Sequence, residues 1–332
     1  MAPRKTRSSV KEETSGDRLQ ELKEAQDRTA HEDVKESTSN EKLAAVGDKR
    51  KKSSLSDTAN KAPRATKSDQ ATTTHEQEGA TIKPSPEQIL RFLLSEAALE
   101  VCRPEDELED LSKRGKDITT YAQLLSPFEE LLCAVVLSRP ISHRLGLRTI
   151  RTILNSPYEL KDADIIKAAG AERIHQALDD ARTQHKGKTT EEIGLIAEAV
   201  ANNDWQNDLE RIREQNNNAV DEEREVLRSS IKGLGKTGLD IFYRRIQWLW
   251  HEAFPFVDAR TQGSLEKLGL PNKPKEIVEL IEKNWQDVEF GDSGEFGDEE
   301  MKRRAFVLLL ERAMGADLEK RVEDVLVAAV KS

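Results

Sequence analysis

From Pro84 to the end of the chain, apolar residues recur every three or four positions and nowhere show the two-residue alternation of a strand. Phe128, Leu131, Leu132, Val135 and Val136 are one instance: spaced i, i+3, i+4, i+7 and i+8, they form a single stripe along a helix. Its start is marked by Ser126, Pro127 and Glu129, an N-cap serine, a proline at the first helical position and a glutamate placed to complete a capping box. The same reasoning predicts helices near 86–101, 143–154, 160–168, 171–182, 189–201, 204–215, 221–230, 236–252, 259–268, 274–284, 299–314 and 317–330. Many short helices joined by short loops predict an all-α globular bundle rather than a coiled coil. Two segments read as loops: 103–120, which is rich in charge, and 287–300, where Gly291, Gly294 and Gly297 stand among acids. An acidic glycine-rich loop repels phosphate, so the second reads as a solvated connector.

The stretch before Pro84 is different in kind. Residues 1–80 hold no Phe, Trp or Tyr and only eight Ile, Leu, Val or Met. Such a segment cannot bury enough apolar surface to offset the entropy of ordering, and residues 1–83 are expected to form a disordered charged arm. Charge separates the two parts: the first 80 residues carry 16 basic and 15 acidic side chains, the remainder 36 and 47, a net of −11. Within the arm, Lys49-Arg50-Lys51-Lys52, followed by Lys61, Arg64 and Lys67, reads as a nuclear-import signal, a weak nucleic-acid contact or a solvated tail. No run of about 18 apolar residues is present to span a membrane, and the charged first 30 residues lack the apolar core of a secretory signal. Two cysteines, Cys102 and Cys133, are too few for a disulfide framework or a four-thiolate iron–sulfur cluster. A soluble, intracellular, nuclear protein is expected.

The most informative stretch is Ser229-Ser230-Ile231-Lys232-Gly233-Leu234-Gly235-Lys236-Thr237-Gly238-Leu239-Asp240, between two helices. Gly235-Lys236-Thr237 suggests a phosphate loop, but Ser230 stands where that motif requires glycine, and a helix precedes it where a strand belongs. A helix-hairpin-helix fits better. Gly233, apolar Leu234 and Gly235 turn the chain sharply, and the bare N–H groups opening the next helix face outward toward an anion such as a DNA phosphate. The plain alternative, a glycine cap between two packed helices, accounts for one glycine and not the pair.

Downstream, Leu239, Phe242, Tyr243, Ile246 and Trp250 form a buried face, and then comes Phe254-Pro255-Phe256-Val257-Asp258-Ala259-Arg260-Thr261. This order of hairpin, long helix, apolar segment, Val-Asp and new helix resembles the helix-hairpin-helix DNA glycosylase superfamily, the endonuclease III-like fold. Ser126 through Ser138 is similar to the family's first barrel helix, and Leu265-Gly269-Leu270 to the segment after its aspartate. The motif-bearing part covers about 126–270. The resemblance implies two all-α lobes: a six-helix barrel at 126–253, with the helix-hairpin-helix at 221–252, and a second lobe of 84–125 plus 254–332. A cleft between lobes would receive a nucleotide flipped from the duplex. Arg139 and Pro140 match the family's gap-probing position, although an arginine after a helix is also an ordinary C-terminal charge.

Asp258 matches the family's catalytic carboxylate, which supports cleavage of the N-glycosidic bond by stabilising positive charge on the sugar or activating water. It is equally suited to capping the following helix. Strand-cutting members carry a lysine in the hairpin's second helix, and aligning Gly233-Leu234-Gly235 puts Thr237 there. Lys236 is one residue earlier, about 100° round the helix, where it suits a phosphate contact better than a Schiff base. The resemblance therefore implies a monofunctional glycosylase acting as a monomer on double-stranded DNA, with no cofactor and no iron–sulfur cluster.

Basic residues that would meet the backbone are Arg139, His143, Arg144, Arg148 and Arg151, then Lys232 and Lys236, with Gly233 and Gly235 between them, and Arg244 and Arg245 beyond. Arg144, Arg148 and Arg151 share one helix face, either a phosphate-facing strip or a solvated surface. His143, His175, His185 and His251 lack metal-ligand spacing. Trp205, Trp248, Trp250 and Trp285 read as core, with Trp248 or Trp250 a candidate to stack on a base. Against the enzyme stand a non-catalytic DNA-binding module and an all-helical protein-interaction domain.

Overall fold

The structure, a computed structural model, describes residues 83–202, 205–288, 290 and 296–331. The charged arm with its basic run lies outside the described residues except for Lys83, as do residues 289 and 291–295 of the acidic glycine loop. Fourteen α-helices and no strand are present among the described residues, so the fold is all-α. None of these helices is long and apolar enough to cross a membrane.

The first helices are α1 (Pro86–Leu94), α2 (Ala98–Cys102) and α3 (Glu105–Arg114). Ser85 closes a capping box at the start of α1, with Pro86 in the first turn. The single helix expected at 86–101 breaks after Leu94, where Ser95 takes extended backbone and its hydroxyl donates to Phe92 O at 2.7 Å. Helix α3 is a larger correction, because 103–120 reads as a loop. Its sequence has little apolar face, but Glu105, Asp106 and Glu107 occupy its first turn and Lys113 and Arg114 its last, the arrangement a helix dipole favours.

Next come α4 (Pro127–Leu137), α5 (His143–Leu154), α6 (Ala163–Asp180), α7 (Lys186–Asn202), α8 (Glu210–Gln215), α9 (Val220–Ser230) and α10 (Lys236–Ile246). Helix α4 begins with the capping box expected at Ser126. Helix α6 joins the two expected at 160–168 and 171–182 across a kink at Gly170, whose φ of 69° interrupts the helical path. Helix α10 stops at Ile246, short of the expected 252, and a 3₁₀ turn at His251–Ala253 follows. The remainder is α11 (Ala259–Leu268), α12 (Pro274–Asn284), α13 (Asp298–Leu318) and α14 (Val322–Ala329).

Two buried apolar clusters organise these helices. One is built from residues between Tyr121 and Ala253, with α10 packed on α4, α4 on α5 and α7, and α6 along α7. The other combines Ile89–Cys102 with residues between Val257 and Ala329, with α11 on α13 and α14 on α1. The edge-to-face rings of Phe242, Tyr243 and Trp250 lie in the first cluster, with centroids 5.3–6.2 Å apart. Trp250 is fully buried and donates Nε1–H to Glu210, so it is core and not a stacking platform.

Candidate nucleic-acid interface and cleft

The hairpin between α9 and α10 is built on a backbone that only glycine accepts easily. Gly233 has φ of +94°, and a Cβ there would come within 3.0 Å of the Glu192 side chain. Ile231 and Leu234 are buried, whereas Lys232, Gly233, Gly235, Lys236 and Thr237 are exposed. Gly235 is the N-cap of α10 and no side chain caps that helix, which leaves the N–H groups of Lys236 and Thr237 at exposed positions without a side-chain partner. Lys232 lies 3.8 Å from exposed Glu191.

Arg139 supports this turn instead of projecting into solvent. Its Nη1 donates to Glu192 at 2.7 Å, its Nη2 to Gly233 O at 3.3 Å, and only 12% of its side chain is exposed. The gap-probing role expected of it is thus corrected: Arg139 is a strut between α7 and the hairpin.

The arginine strip is corrected in the same way. Arg151 is 1% exposed and donates to Asp106, Glu107 and Asp110, which fixes α3 against α5. Arg148 donates Nε–H to Ala181 O at 2.9 Å, and Arg144 donates to Glu319 at 2.6 Å while remaining half exposed. Arg244 and Arg245, also expected at the backbone, are 2% and 0% exposed. Of the expected contacts, Lys232, Lys236 and Arg144 keep exposed charges.

Where α10 meets α11 and α13, a cavity of about 370 Å³ opens, at the lower end of the roughly 300–1,000 Å³ of small-molecule sites. Thr237 and Asp258 both line it, with Tyr121, His143, Arg260 and Glu311. Asp258 is 9% exposed and caps α11. Its Oδ1 accepts from the backbone N–H of Arg260 at 3.0 Å and of Thr261 at 3.2 Å. Its Oδ2 accepts from Thr261 Oγ1 at 2.6 Å and Arg244 Nη1 at 2.9 Å. Burial pushes this carboxyl up, but the Arg244 guanidinium and the hydrogen bonds from Thr261 and Arg244 outweigh it and hold the pKa below the ordinary aspartate value.

That depression has a definite sign. A carboxylate with a lowered folded-state pKa contributes stability that is present above the unfolded value, about 3.9 for aspartate, and is lost as pH falls through the folded value. The stability difference between wild type and Asp258→Asn is therefore expected to be largest near neutrality and to shrink steadily below about pH 4, as read by urea unfolding at a series of pH values.

Two further groups of this cavity escape a reading of the sequence. Glu311 on α13 accepts from Arg244 Nε at 2.6 Å, so one guanidinium clamps two carboxylates. Tyr121 is 4% exposed and its hydroxyl has no hydrogen-bond partner, while the Arg245 guanidinium lies 4.3 Å from its ring centroid. Burial, and then Glu311, push this phenol well above its ordinary pKa, so it is a neutral O–H at neutral pH. Among the described residues no group of three or more His, Cys, Asp or Glu side chains is arranged to hold a metal ion. Comparison with protein-family models, curated proteins and solved structures finds nothing that matches.

Proposed function

We propose that the chain is a helix-hairpin-helix DNA glycosylase, hydrolysing the N-glycosidic bond of a damaged or mismatched base in double-stranded DNA. The observation that carries this reading is the single cavity onto which Thr237, beside the uncapped start of α10, and the Asp258 carboxylate both open. A strand phosphate at the bare N–H groups of Lys236 and Thr237 would hold the backbone at the cavity mouth. Asp258 would then face the sugar as positive charge builds on it. The inferred fold is the two-lobed one of that superfamily, with 126–253 as barrel and 84–125 plus 254–332 as second lobe. Its support is the division of the apolar residues into two clusters near those boundaries. Thr237 at the lysine position argues for hydrolysis alone, by a nuclear monomer without an iron–sulfur cluster.

A second reading, a non-catalytic DNA-binding protein, is favoured by one observation: the Asp258 carboxylate already accepts four hydrogen bonds. Single-turnover base release from duplexes carrying uracil, hypoxanthine, 8-oxoguanine or 7-methylguanine separates the two. The enzyme predicts release by wild type, a fall of about 10²–10³-fold in Asp258→Asn with DNA affinity kept, and no covalent adduct trapped by borohydride. Binding without release from any duplex supports the module. If Gly233→Val and Gly235→Val together leave DNA affinity and its salt dependence unaltered, the hairpin reading fails and a protein-interaction domain remains.

A further inference from the structure

The two carboxylates on Arg244 differ in what they have left to offer a reactant. A carboxylate has about four lone-pair positions, and all four of Asp258 are occupied by N–H or O–H donors. Glu311 accepts one bond, from Arg244 Nε to its Oε1. Its Oε2 makes no hydrogen bond to the described residues, although its side chain is only 10% exposed and lines the cavity. Glu311 thus offers the cavity a carboxylate oxygen with free lone pairs, beside an Asp258 that has none.

We propose that Glu311, and not Asp258, is the general base of the reaction, an inference that rests on the glycosylase reading above. A water in the cavity donates one proton to Glu311 Oε2. Its oxygen forms the new bond to C1′ as the C1′–N bond breaks, and the bonding pair leaves with the base. The water proton passes to Glu311 Oε2 and from there to the departing base nitrogen, so the proton count is unchanged over the cycle. Asp258, held ionised by its four donors, acts as a fixed negative charge beside the developing cation and takes no proton.

The test is single-turnover base release from the same four duplexes by wild type, Glu311→Gln, Glu311→Ala and Asp258→Asn, each over a range of pH. Affinity for a duplex carrying a tetrahydrofuran abasic site and the thermal midpoint are measured for each. Glu311→Gln leaves Arg244 paired with Asp258, so folding and binding are expected to be kept while release falls about 10²–10⁴-fold. Added formate is expected to restore part of the rate in Glu311→Ala and none in Asp258→Asn. A wild-type rate in Glu311→Gln with release abolished in Asp258→Asn overturns the inference and leaves the glycosylase standing. A loss of DNA affinity that matches the loss of rate also overturns it, because Glu311 is then a binding group. No release by wild type from any duplex sinks the glycosylase and this inference together.

Discussion

Arg245→Met is expected to lower the unfolding free energy by about 3–5 kcal/mol, the usual cost of stranding one partner of a buried ion pair. Arg245 and Glu130 are both fully buried, joined by Nε–H to Oε2 at 3.0 Å and Nη2–H to Oε1 at 2.9 Å. Leu125 N–H also donates to Glu130, and Arg245 donates to Gln123 O, so the pair fastens the segment before α4 to α10. Burial already raises the Glu130 pKa despite the guanidinium, and removing that cation raises it further. A carboxyl with a raised folded-state pKa favours the folded protein more as pH falls, so the deficit of Arg245→Met is expected to narrow in acid. Arg245 Nη1 has no partner even in the intact pair. Glu130→Leu with Arg245→Met is accordingly expected to recover most of the stability, since apolar replacement of a buried pair is often neutral or better. Urea unfolding of the single and double variants reads this directly. A single variant as stable as wild type would show that the pair contributes nothing.

What the sequence discloses and what it conceals divide along physical lines. The stripe of α4, its capping box and the hairpin glycines act within a few residues of themselves, and they stand in the structure where local rules put them. The arginines do not obey local rules. Arg144, Arg148 and Arg151 share a face in any helical reading, but whether that face meets solvent depends on α3, forty residues away, whose acids bury Arg151. Because α3 draws its order from that pairing more than from an apolar stripe, periodicity misses both partners at once. Arg244 and Arg245 illustrate the same point: adjacent in sequence and about 100° apart on α10, they enter different carboxylate networks. Asp258 is legible because an N-cap after Val257 is a local feature. Glu311 is not, since its partner Arg244 on α10 is 67 residues away in sequence and is reached through tertiary packing. One sign was present: the charged pair Glu311-Arg312 interrupts the apolar run from Phe306 to Ala316, and a charge inside such a run asks for a buried partner.

Arg244→Met is expected to have consequences that Arg245→Met does not, because Arg244 is 2% exposed and holds groups from the other apolar cluster's helices. Its loss leaves two carboxylates at one cavity wall with no cation between them, and a cost of at least about 3–5 kcal/mol follows at neutral pH. Asp258 retains the Thr261 hydroxyl and two backbone donors, so α11 stays capped, but without Arg244 its pKa moves up. The deficit is therefore expected to narrow as pH falls and Asp258 takes up a proton, and Asp258→Asn with Glu311→Gln in the same chain is expected to rescue much of it at neutral pH. The cavity supplies a second readout. Arg245→Met removes a cation from beneath the Tyr121 ring but leaves both carboxylates clamped, whereas Arg244→Met frees them to repel each other across the cavity wall. Where base release is measurable, Arg244→Met is expected to lose it more completely than Arg245→Met even after both variants are brought to equal folded fraction. Equal losses at equal folded fraction would mean that Arg244 serves stability alone, and that the paired carboxylates of the cavity have no part in the chemistry.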